Sequence, residues 1–494
     1  MRRTLAAWLN VSLLLFLSVP LVASTEGDSR YGVVHGDKMQ FLVEGGFGWT
    51  RMDFVWNGIE PENDTFRFEH LDRFVEDCSQ AGVQVLAILD YSADWASSGP
   101  EKAVIRDRYP PKYLSDWEDY VRHTVEHFKG VVDHFEVWNE PNIRYFWFGG
   151  EDPKEYFRLL RSTYLTAKEV NPECTILIGG TIGFDIEYLK EVYEQGGSHY
   201  FDAMAIHPYM GSSYEAGNFS GNMSRLRELM SGYGDSGKEI WFTEMGWSTS
   251  DNFTKMDQAA YLVRAYTLSL SQGADKLFWF NLNADPPPRG SSGLIEHDLT
   301  PRPAFIAHRT FVDFVGEGEY GGEVEMDGGI EAHIFRHGDT ATMVVWHPNL
   351  TAGTSLRLSG DSNATVYDML GERADQQVSG RRLTLEASPE PIFVVGLSED
   401  DLSSISGSPL WPIYGILILG LAASAGLLYT RLGRGDIGGA EKGVKKRRRP
   451  RRAKERDVPE GCIKSFKEEV CLKCRHYTIK GGKPTCLKFG IELE

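Results

Sequence analysis

The sequence between Tyr31 and about Val315 alternates between short strand-like runs and longer helix-like runs, and this alternation restricts the fold more than any other feature. It is typical of βαβ units and a parallel sheet. Eight strands are predicted, near Tyr31–Val34, Thr50–Phe54, Val85–Asp90, Phe135–Asn139, Thr175–Gly179, Ala203–His207, Ile240–Glu244 and Leu277–Asn281. Because each strand is followed by a crossover, a (β/α)8 TIM barrel over residues 31–315 is favoured over an open doubly wound sheet. The Gly-rich phosphate fingerprint of a dinucleotide-binding fold does not follow the first strand.

Two of the intervening segments carry helix-end signals. Ser115 and Glu118 have the spacing of a capping box at the start of an amphipathic run. Asp152 followed by Pro153 predicts a capped helix start with proline in the first turn, and Asn171 before a proline predicts its end.

The character of the sequence changes after the barrel. Residues 316–397 consist of short alternating segments separated by Gly, Asn and Asp turns, which predicts a small antiparallel β-sandwich domain. Residues 398–409 are polar and rich in serine, and they are predicted to form a spacer.

Both ends of the chain carry membrane-related signals. Residues 1–24 combine an early arginine pair, an apolar run and small residues, the pattern of a secretory signal peptide. Residues 410–430 are apolar, without charge, and about long enough to cross a bilayer as one transmembrane helix. The basic segment 431–456 beside it is expected on the cytoplasmic side, in contact with membrane lipid. The barrel is therefore predicted to be extracellular, on a chain that is single-pass after signal cleavage.

The distribution of charge bears on whether the chain binds nucleic acid. The whole chain carries a net charge of −18 although residues 431–456 are strongly basic, so the remainder is markedly acidic. Nucleic acid is therefore not expected as a partner.

Four cysteines lie in the short cytoplasmic tail predicted over residues 457–494, at Cys462, Cys471, Cys474 and Cys486. Their spacing could close one structural Zn²⁺ site in a segment too short to fold on an apolar core. An iron–sulfur or redox role and unligated reduced thiols remain alternatives. A tail of this kind could also have a cytoplasmic partner.

Two glutamates define the predicted chemistry. Glu140 follows Trp138 and Asn139 at the end of the fourth strand, and Glu244 lies at the end of the seventh strand in a run rich in aromatic residues. Active sites of (β/α)8 barrels lie at the C-terminal ends of the strands, so these two acids are expected to meet. A pair of carboxyl groups, one to protonate a leaving oxygen and one to attack a sugar, is what retaining hydrolysis of a glycosidic bond requires.

The other strand ends contribute further ionisable and aromatic groups to the same rim. The candidates for substrate binding are Arg51, Trp95, Asn139, His207, Tyr209 and Trp279. Asp53 and Asp90 lie at the same rim without an assigned role.

With these residues in place, the chain resembles a clan A glycoside hydrolase of family 39, with family 5 next. The Asn-Glu-Pro motif at 139–141 matches the acid/base position of the clan, and Glu244 matches its nucleophile. The resemblance implies that Arg51, His207 and Tyr209 surround the nucleophile and that Trp279 is an aromatic platform for the sugar. It also implies that catalysis needs no cofactor.

The resulting hypothesis is a retaining glycosidase that cleaves β-glycosidic bonds of an extracellular oligo- or polysaccharide by double displacement. Glu140 is the acid/base, Glu244 is the nucleophile, and the two carboxyl groups are expected roughly 5–5.5 Å apart. Two alternatives stay open: a non-catalytic, membrane-anchored glycan sensor with a metal-binding tail, and a structural wall component. The presence of both glutamates favours the enzyme, since a binding protein has no chemical need for either.

Overall fold

A computed structural model describes residues 29–211, 213–250, 252–285, 290–360, 362–374, 377–379 and 381–405, and three short tail strands. The strands are β1 (Tyr31–Val34), β2 (Trp49–Val55), β3 (Gln84–Asp90), β4 (His134–Val137), β5 (Thr175–Ile178), β6 (Thr181–Ile182), β7 (Met204–His207), β8 (Ile240–Met245), β9 (Lys276–Trp279), β10 (Glu319–Glu323), β11 (Glu331–His337), β12 (Thr340–Trp346), β13 (Ala352–Arg357), β14 (Thr365–Asp368), β15 (Gln377–Ser379), β16 (Arg382–Ala387), β17 (Ile392–Ser398), β18 (Tyr477–Lys480), β19 (Lys483–Cys486) and β20 (Ile491–Glu492). The helices are α1 (Met39–Gly45), α2 (Trp56–Ile59), α3 (Glu69–Ala81), α4 (Leu114–Phe128), α5 (Pro153–Val170), α6 (Ile186–Glu194), α7 (Phe219–Gly232), α8 (Lys255–Ser271), α9 (Pro303–Phe314) and α10 (Glu399–Ile405).

Strands β1 to β9 form one parallel sheet in the order β5-β4-β3-β2-β1-β9-β8-β7-β6. All eight predicted strands are present, and the additional strand β6 follows β5 after a two-glycine break at Gly179 and Gly180. A parallel bridge between Leu177 and Ala203 joins β5 to the chain just before β7, so the two ends of the sheet approach each other. The sheet is therefore TIM-like, as the alternation of the sequence predicts.

Two layers of apolar side chains hold this sheet. Inside the barrel, Trp49, Trp241 and Phe278 pack with small aliphatic residues in a separate cluster. Outside it, the faces of the strands that point away from the barrel interior pack against the helices in the main core, to which α4 contributes Trp117 and Tyr120. The alternation of strand side chains between these two layers decides which residues can reach the site.

The helix-end signals were only partly correct. Asp152 caps α5 by accepting hydrogen bonds from the backbone N–H groups of Lys154 and Glu155, with Pro153 in the first turn, as predicted. The capping box at Ser115 is wrong, because α4 begins at Leu114 without a side-chain cap. Glu118 instead accepts a hydrogen bond from the Ser162 hydroxyl of α5 at 2.5 Å, so this carboxylate connects two helices.

The second unit is an antiparallel β domain, as predicted. A five-stranded sheet of order β10-β11-β12-β17-β14 faces a three-stranded sheet of order β13-β16-β15. Met343 and Val394 of the first sheet share one buried cluster with Leu356 and Leu385 of the second. The domain packs on the barrel, where Phe311 of α9 contacts Phe335 and Phe393 edge to face, at centroid distances of 6.3 and 6.2 Å.

The predicted spacer needs a correction at its start. Residues Glu399–Ile405 form α10, and Asp401 accepts hydrogen bonds from the backbone N–H groups of Ser359 and Ser398 at 2.8 and 3.0 Å. Leu402 is buried beside them. The polar sequence suggested a linker because polar residues are usually exposed. Here the Asp401 carboxylate is buried and accepts hydrogen bonds from backbone N–H groups, which the sequence does not reveal.

Several predictions fall outside the described residues. These are the signal peptide, the membrane segment 410–430, the basic segment 431–456, and Cys462, Cys471 and Cys474. Cys486 is the last residue of β19. Within the described residues, no helix combines the length and apolar composition that a bilayer crossing requires.

Candidate active site

Glu140 and Glu244 meet at the C-terminal end of the parallel sheet. A carboxylate oxygen of each, together with a ring nitrogen of His207, lies within 4.8 Å of the others. Glu140 is 4% exposed and Glu244 is 8% exposed. The two acids, separated by about a hundred residues in the sequence, therefore lie together in one largely buried cluster, as the hypothesis requires.

The backbone after β4 turns Glu140 towards the cavity. Trp138 has a φ of 69° and Glu140 has a φ of 45°, in the left-handed region that non-glycine residues rarely adopt. The Trp138 ring packs outside the barrel, edge to face with Trp147, while the next two residues point inward. Such backbone strain costs about 1–3 kcal/mol for each residue and is concentrated at functional sites. Here it places Asn139 and Glu140 on the same wall.

An irregularity in β8 directs the second acid, Glu244, to the barrel interior. The pairing of β8 with β9 shifts register between Phe242 and Met245. In a regular strand Thr243 and Glu244 would face opposite sides of the sheet. Because of the shift, the Thr243 hydroxyl and the Glu244 carboxylate both reach the interior network.

Arg51 of β2 is the centre of that network. Its Nη1 donates to Glu244 Oε1 at 2.7 Å, its Nε donates to Glu136 Oε2 at 2.7 Å, and its Nη2 donates to Asn139 Oδ1 at 2.9 Å. The guanidinium is 1% exposed. The planar fork of arginine fixes three acceptors at once, so one side chain orients both the nucleophile candidate and the residue before the acid candidate.

Glu136 is a site residue that the sequence reasoning missed. Its side chain is 0% exposed, and Oε1 also accepts from the Gly180 N–H at 2.8 Å and the Thr243 hydroxyl at 3.2 Å. Burial raises the pKa of Glu136, but the charge of Arg51 and the contacts with His207 and Arg51 outweigh burial and lower the pKa to about 2. The available signal was a charged residue between Phe135 and Val137 within strand β4.

His207 of β7 connects the acids. Its Nδ1 lies 3.0 Å from Glu140 Oε1 and 3.7 Å from Glu244 Oε2, and its Nε2 lies 3.1 Å from the Thr243 hydroxyl. Burial lowers the pKa of His207, but the charge of Glu244 and the contacts with Glu136 and Glu140 raise it to about 9. Both ring nitrogens therefore carry protons at neutral pH. Nδ1–H donates to Glu140, and Nε2–H donates to Thr243.

The same contacts determine the state of Glu140. Burial raises its pKa, the hydrogen bond and charge of His207 lower it, and the charge of Glu244 raises it again, so that the pKa is raised overall. A raised pKa favours the protonated form of Glu140, the form that can donate a proton.

Tyr209 completes the environment of Glu244. Its hydroxyl donates to Glu244 Oε2 at 3.0 Å, opposite the oxygen that Arg51 contacts. Burial and the charge of Glu244 raise the pKa of Tyr209 well above its usual value, so the phenol keeps its proton. Each oxygen of Glu244 thus accepts one hydrogen bond.

The structure corrects the aromatic platform. Trp279 is 0% exposed, and its indole N–H donates to the Ser292 carbonyl at 2.8 Å. Side chains of a strand alternate, and Phe278 already points into the barrel, so Trp279 points out towards the helices. Phe280, the next residue with inward direction, is partly exposed and lies 6.0 Å from the His35 ring. At this strand end Phe280, and not Trp279, therefore faces the barrel interior.

Trp95 lies further along the rim. Its indole N–H donates to the Glu60 carbonyl at 2.9 Å and its ring packs edge to face on Trp56 at 5.7 Å. Those contacts do not join it to the two acids. The ring is half-buried at the rim, and its role in substrate binding stays a prediction.

No metal ligand set separate from the acids lines the cavity among the described residues. Glu140, His207 and Glu244 are close enough to hold a cation. However, a protonated His207 and the adjacent Arg51 guanidinium both oppose one. The arrangement suits acid–base and nucleophilic chemistry of its own side chains.

A TIM-like barrel with two carboxyl groups facing each other at the C-terminal ends of strands four and seven of the barrel is the arrangement of a clan A glycosidase. Residues 47–235 match the family model for Glycosyl hydrolases family 39. These residues include Arg51, Glu136, Glu140, His207 and Tyr209.

Individual proteins agree with this match. A β-xylosidase of Geobacillus stearothermophilus is 28% identical over 157 residues, which is 29% of this chain and 31% of the relative. An endo-1,4-β-xylanase B of Thermotoga neapolitana is 24% identical over 204 residues, 38% of this chain and 55% of that protein. The chain thus spans about a third of the length of the β-xylosidase it matches.

Solved structures share the fold. A family 39 glycoside hydrolase from Bacteroides cellulosilyticus WH2 superimposes with a TM-score of 0.64 at 24% identity, covering 74% of this chain and 80% of that one. A monomeric β-xylosidase from Caulobacter crescentus CB15 gives 0.57 at 18% identity, covering 76% and 97%. The predicted resemblance to family 39 is confirmed by the match over residues 47–235. The prediction of a glycosidase agrees with the family that residues 47–235 resemble.

Proposed function

We propose that the chain is a retaining β-glycosidase in which Glu244 is the nucleophile and Glu140 is the acid/base. The observation that carries the proposal is the approach of their carboxylate oxygens to within 4.8 Å. Retaining enzymes have carboxyl groups about 5–5.5 Å apart, whereas inverting enzymes need roughly 6.5–9.5 Å to admit a water molecule between acid, sugar and base.

In the first step, Glu244 attacks the anomeric carbon while Glu140 protonates the departing glycosidic oxygen. The hydrogen bonds from Arg51 and Tyr209 hold the two oxygens of Glu244 in a fixed plane. Glu140 donates the proton, and its raised pKa favours the protonated form that this step needs. The bond to the leaving group breaks as the glycosyl ester of Glu244 forms.

The charge of the network supports this order of events. The double displacement itself requires Glu140 to carry the proton and Glu244 to be the attacking carboxylate, beside the positive Arg51 and His207 and the negative Glu136. In the intermediate Glu244 is neutral as an ester, and Glu140 has become negative. The net charge of the cluster is therefore the same before and after the step, so that no additional charge has to be stabilised among buried groups.

In the second step, Glu140 acts as a base. It now bears a negative charge 3.0 Å from the charged His207 ring, where it removes a proton from the water that attacks the anomeric carbon. Glu244 is released as a carboxylate with Arg51 already in place, and the sugar leaves with the configuration it had at the start.

The substrate in this proposal is a β-linked oligo- or polysaccharide that contains xylose. The support comes from the related proteins, which are named β-xylosidases and an endo-1,4-β-xylanase. A β-xyloside is therefore the first compound to test, followed by xylobiose and xylan and then by other β-glycosides.

The decisive experiment compares the full chain with Glu244→Gln and Glu140→Gln on 4-nitrophenyl β-glycosides. Glu244→Gln should lower kcat by about three orders of magnitude or more, since the covalent step is lost. Glu140→Gln should lose far more activity on xylobiose than on a 2,4-dinitrophenyl glycoside, because that leaving group needs no proton. Added azide should restore turnover of Glu140→Gln on the dinitrophenyl glycoside.

Glu239→Gln is the matched control. Glu239 directly precedes β8, at the opposite end of the strand from Glu244, and it accepts a hydrogen bond from Trp241. Its variant should keep parental activity. NMR of the first product should show the β anomer; an α anomer would rule out double displacement.

The same proposal places the barrel and β domain outside the cell, anchored by residues 410–430. The supports are the signal-like residues 1–24, the apolar segment and the basic flank 431–456. Protease added to intact cells should remove the barrel and leave the tail. Protection of the barrel until detergent is added would reject this topology.

The tail is proposed to hold one Zn²⁺ through Cys462, Cys471, Cys474 and Cys486, away from the reaction. Metal analysis of the purified full chain should find about one zinc per chain, which disappears when all four cysteines are changed to serine. Iron in place of zinc, or no metal in the parent, would reject the assignment.

A further inference from the structure

Asp90, at the end of β3, lies on the inner wall of the barrel near the two acids. Its neighbour in β2 is Val55, and the same register pairs Leu86 with Arg51. Leu86 lies in the interior cluster, and side chains two and four positions further along a strand face the same side. Ile88 pairs with Glu136, so Asp90 is one inward position nearer the C-terminal rim than Glu136.

The carboxyl group of Asp90 is buried without a partner. It is 0% exposed, and neither Oδ1 nor Oδ2 has a hydrogen-bond partner among the described residues. Buried polar atoms are almost always paired, so two unpaired oxygens on one side chain call for an explanation. An apolar side chain would fill the position at lower cost.

The groups that act on Asp90 belong to the site. Burial and the charge of Asp53 raise the pKa of Asp90 well above its usual value, while Arg108 and Arg51 oppose the rise. A neutral carboxyl group is both a donor and an acceptor. It therefore matches a hydroxyl group and needs no counter-ion.

Arg108, whose charge acts on Asp90, carries a second buried polar atom without a partner in the described part of the chain. Its Nη1 is buried without a partner among the described residues, and its guanidinium lies 3.7 Å from the centroid of the Tyr91 ring. Tyr91 directly follows Asp90. The Arg108 Nη1 donor and the Asp90 carboxyl group thus both lack a hydrogen-bond partner within the described ranges, close to the proposed site of cleavage.

We propose that Asp90 is a specificity-determining residue that hydrogen-bonds a hydroxyl group of the sugar attacked by Glu244, with Arg108 donating to the same hydroxyl. This inference rests on the proposed function and narrows its substrate. The ionised Asp53, held by His35 at 2.9 Å, places negative charge nearby, so the sugar is a neutral pyranose and not a uronic acid. Because Asp90 is 0% exposed, the proposal requires that a neighbouring side chain moves when the sugar binds.

The test combines variants with deoxy sugars. The full chain, Asp90→Leu, Asp90→Asn and Arg108→Met are each assayed on 4-nitrophenyl β-D-xylopyranoside and on its 2-, 3- and 4-deoxy analogues. The parent should lose about tenfold or more in kcat/KM on one analogue, the one lacking the contacted hydroxyl. Asp90→Leu should lose a similar factor on the intact sugar and show no further loss on that analogue. Asp90→Asn, which keeps a donor and an acceptor, should regain most of the discrimination.

Asp401→Asn is the control for loss of a buried carboxyl group far from the cavity, since Asp401 is 0% exposed in the β domain. It should change stability without changing the deoxy profile. Equal loss by Asp90→Leu on all four sugars, or parental kcat/KM in Asp90→Leu, would overturn the inference and leave Asp90 with a structural role. A parent that cleaves no glycoside would instead overturn the proposed function, and a parent that prefers a β-uronide would overturn the neutral-sugar assignment.

Discussion

Replacing Glu136 by glutamine tests whether the buried network under the acids is charged as described. Glutamine has nearly the same shape, but it places an amide N–H₂ or a neutral oxygen where a carboxylate now accepts from Arg51 Nε at 2.7 Å and Nη2 at 3.1 Å. Arg51 is 1% exposed and would keep Glu244 as its remaining ion-pair partner. One of two counter-ions is lost at a fully buried guanidinium.

The expected loss of stability is large. Removing one partner of a buried ion pair costs about 3–5 kcal/mol. With an unfolding entropy of about 2.1 cal/mol/K per residue, residues 29–405 correspond to roughly 0.8 kcal/mol/K, so the Tm should fall by about 4–6 °C at pH 7. We also expect kcat/KM to fall by about 10²-fold, because a displaced Arg51 no longer fixes Glu244.

The pH dependence of the difference gives the sharper check. The pKa of Glu136 is lowered to about 2 from 4.5, so its contribution is fully present above pH 4.5 and is lost as the pH falls towards 2. Thermal unfolding of parent and Glu136→Gln at pH 7 and at pH 3 should show a smaller difference in Tm at pH 3. A Tm within 1 °C of the parent at pH 7, or a difference that does not shrink, would refute the reasoning.

Glu215→Gln is the matched control for this experiment. Glu215 is paired with Arg264 at 2.6 Å and accepts from the Trp346 indole at 3.0 Å, where the barrel meets the β domain. The variant should also lower Tm. It should leave kcat/KM unchanged, because the site is elsewhere.

Three further changes have defined outcomes. Tyr209→Phe removes the 3.0 Å hydrogen bond to Glu244 and should lower kcat by about tenfold with a Tm close to the parent, measured on the aryl glycoside. The pKa of His207 is raised to about 9 from 6.5, so the stabilisation by the charged ring is complete below pH 6.5 and is lost as the pH rises through 9. The Tm of the parent should therefore fall over this pH range, and His207→Asn should abolish this fall. Gly180→Ala places a Cβ 2.3 Å from His207 Nε2 and should lower the free energy of unfolding by about 1–3 kcal/mol, measured by denaturant titration, and should also lower activity. The control Gly237→Ala, where a Cβ meets no atom within 4 Å, should leave both stability and activity unchanged.

The sequence by itself determined the barrel and the positions of the two acids. Strand and helix periods differ, so the alternation over residues 31–315 predicts eight parallel strands, and the fold brings their C-terminal ends together. Glu140 and Glu244 could therefore be placed in one cavity without knowing any distance. Arg51 and Tyr209 followed from the same rule of strand ends.

Other features depended on side-chain direction, which a sequence reveals only where a strand is regular. The positive φ values at Trp138 and Glu140 and the register shift in β8 turn consecutive residues to the same side, and simple alternation does not predict this. The error at Trp279 is the converse, because β9 is regular there and its tryptophan faces the helices.

Ionisation states were decided by the tertiary structure alone. Glu136, His207 and Asp90 have ordinary side chains in the sequence, and their pKa values shift because burial and charges from four different strands act on them at once. Those charges come together only when the barrel closes. The sequence therefore predicted which two acids meet, and the fold determined the burial and the charges that raise the pKa of Glu140.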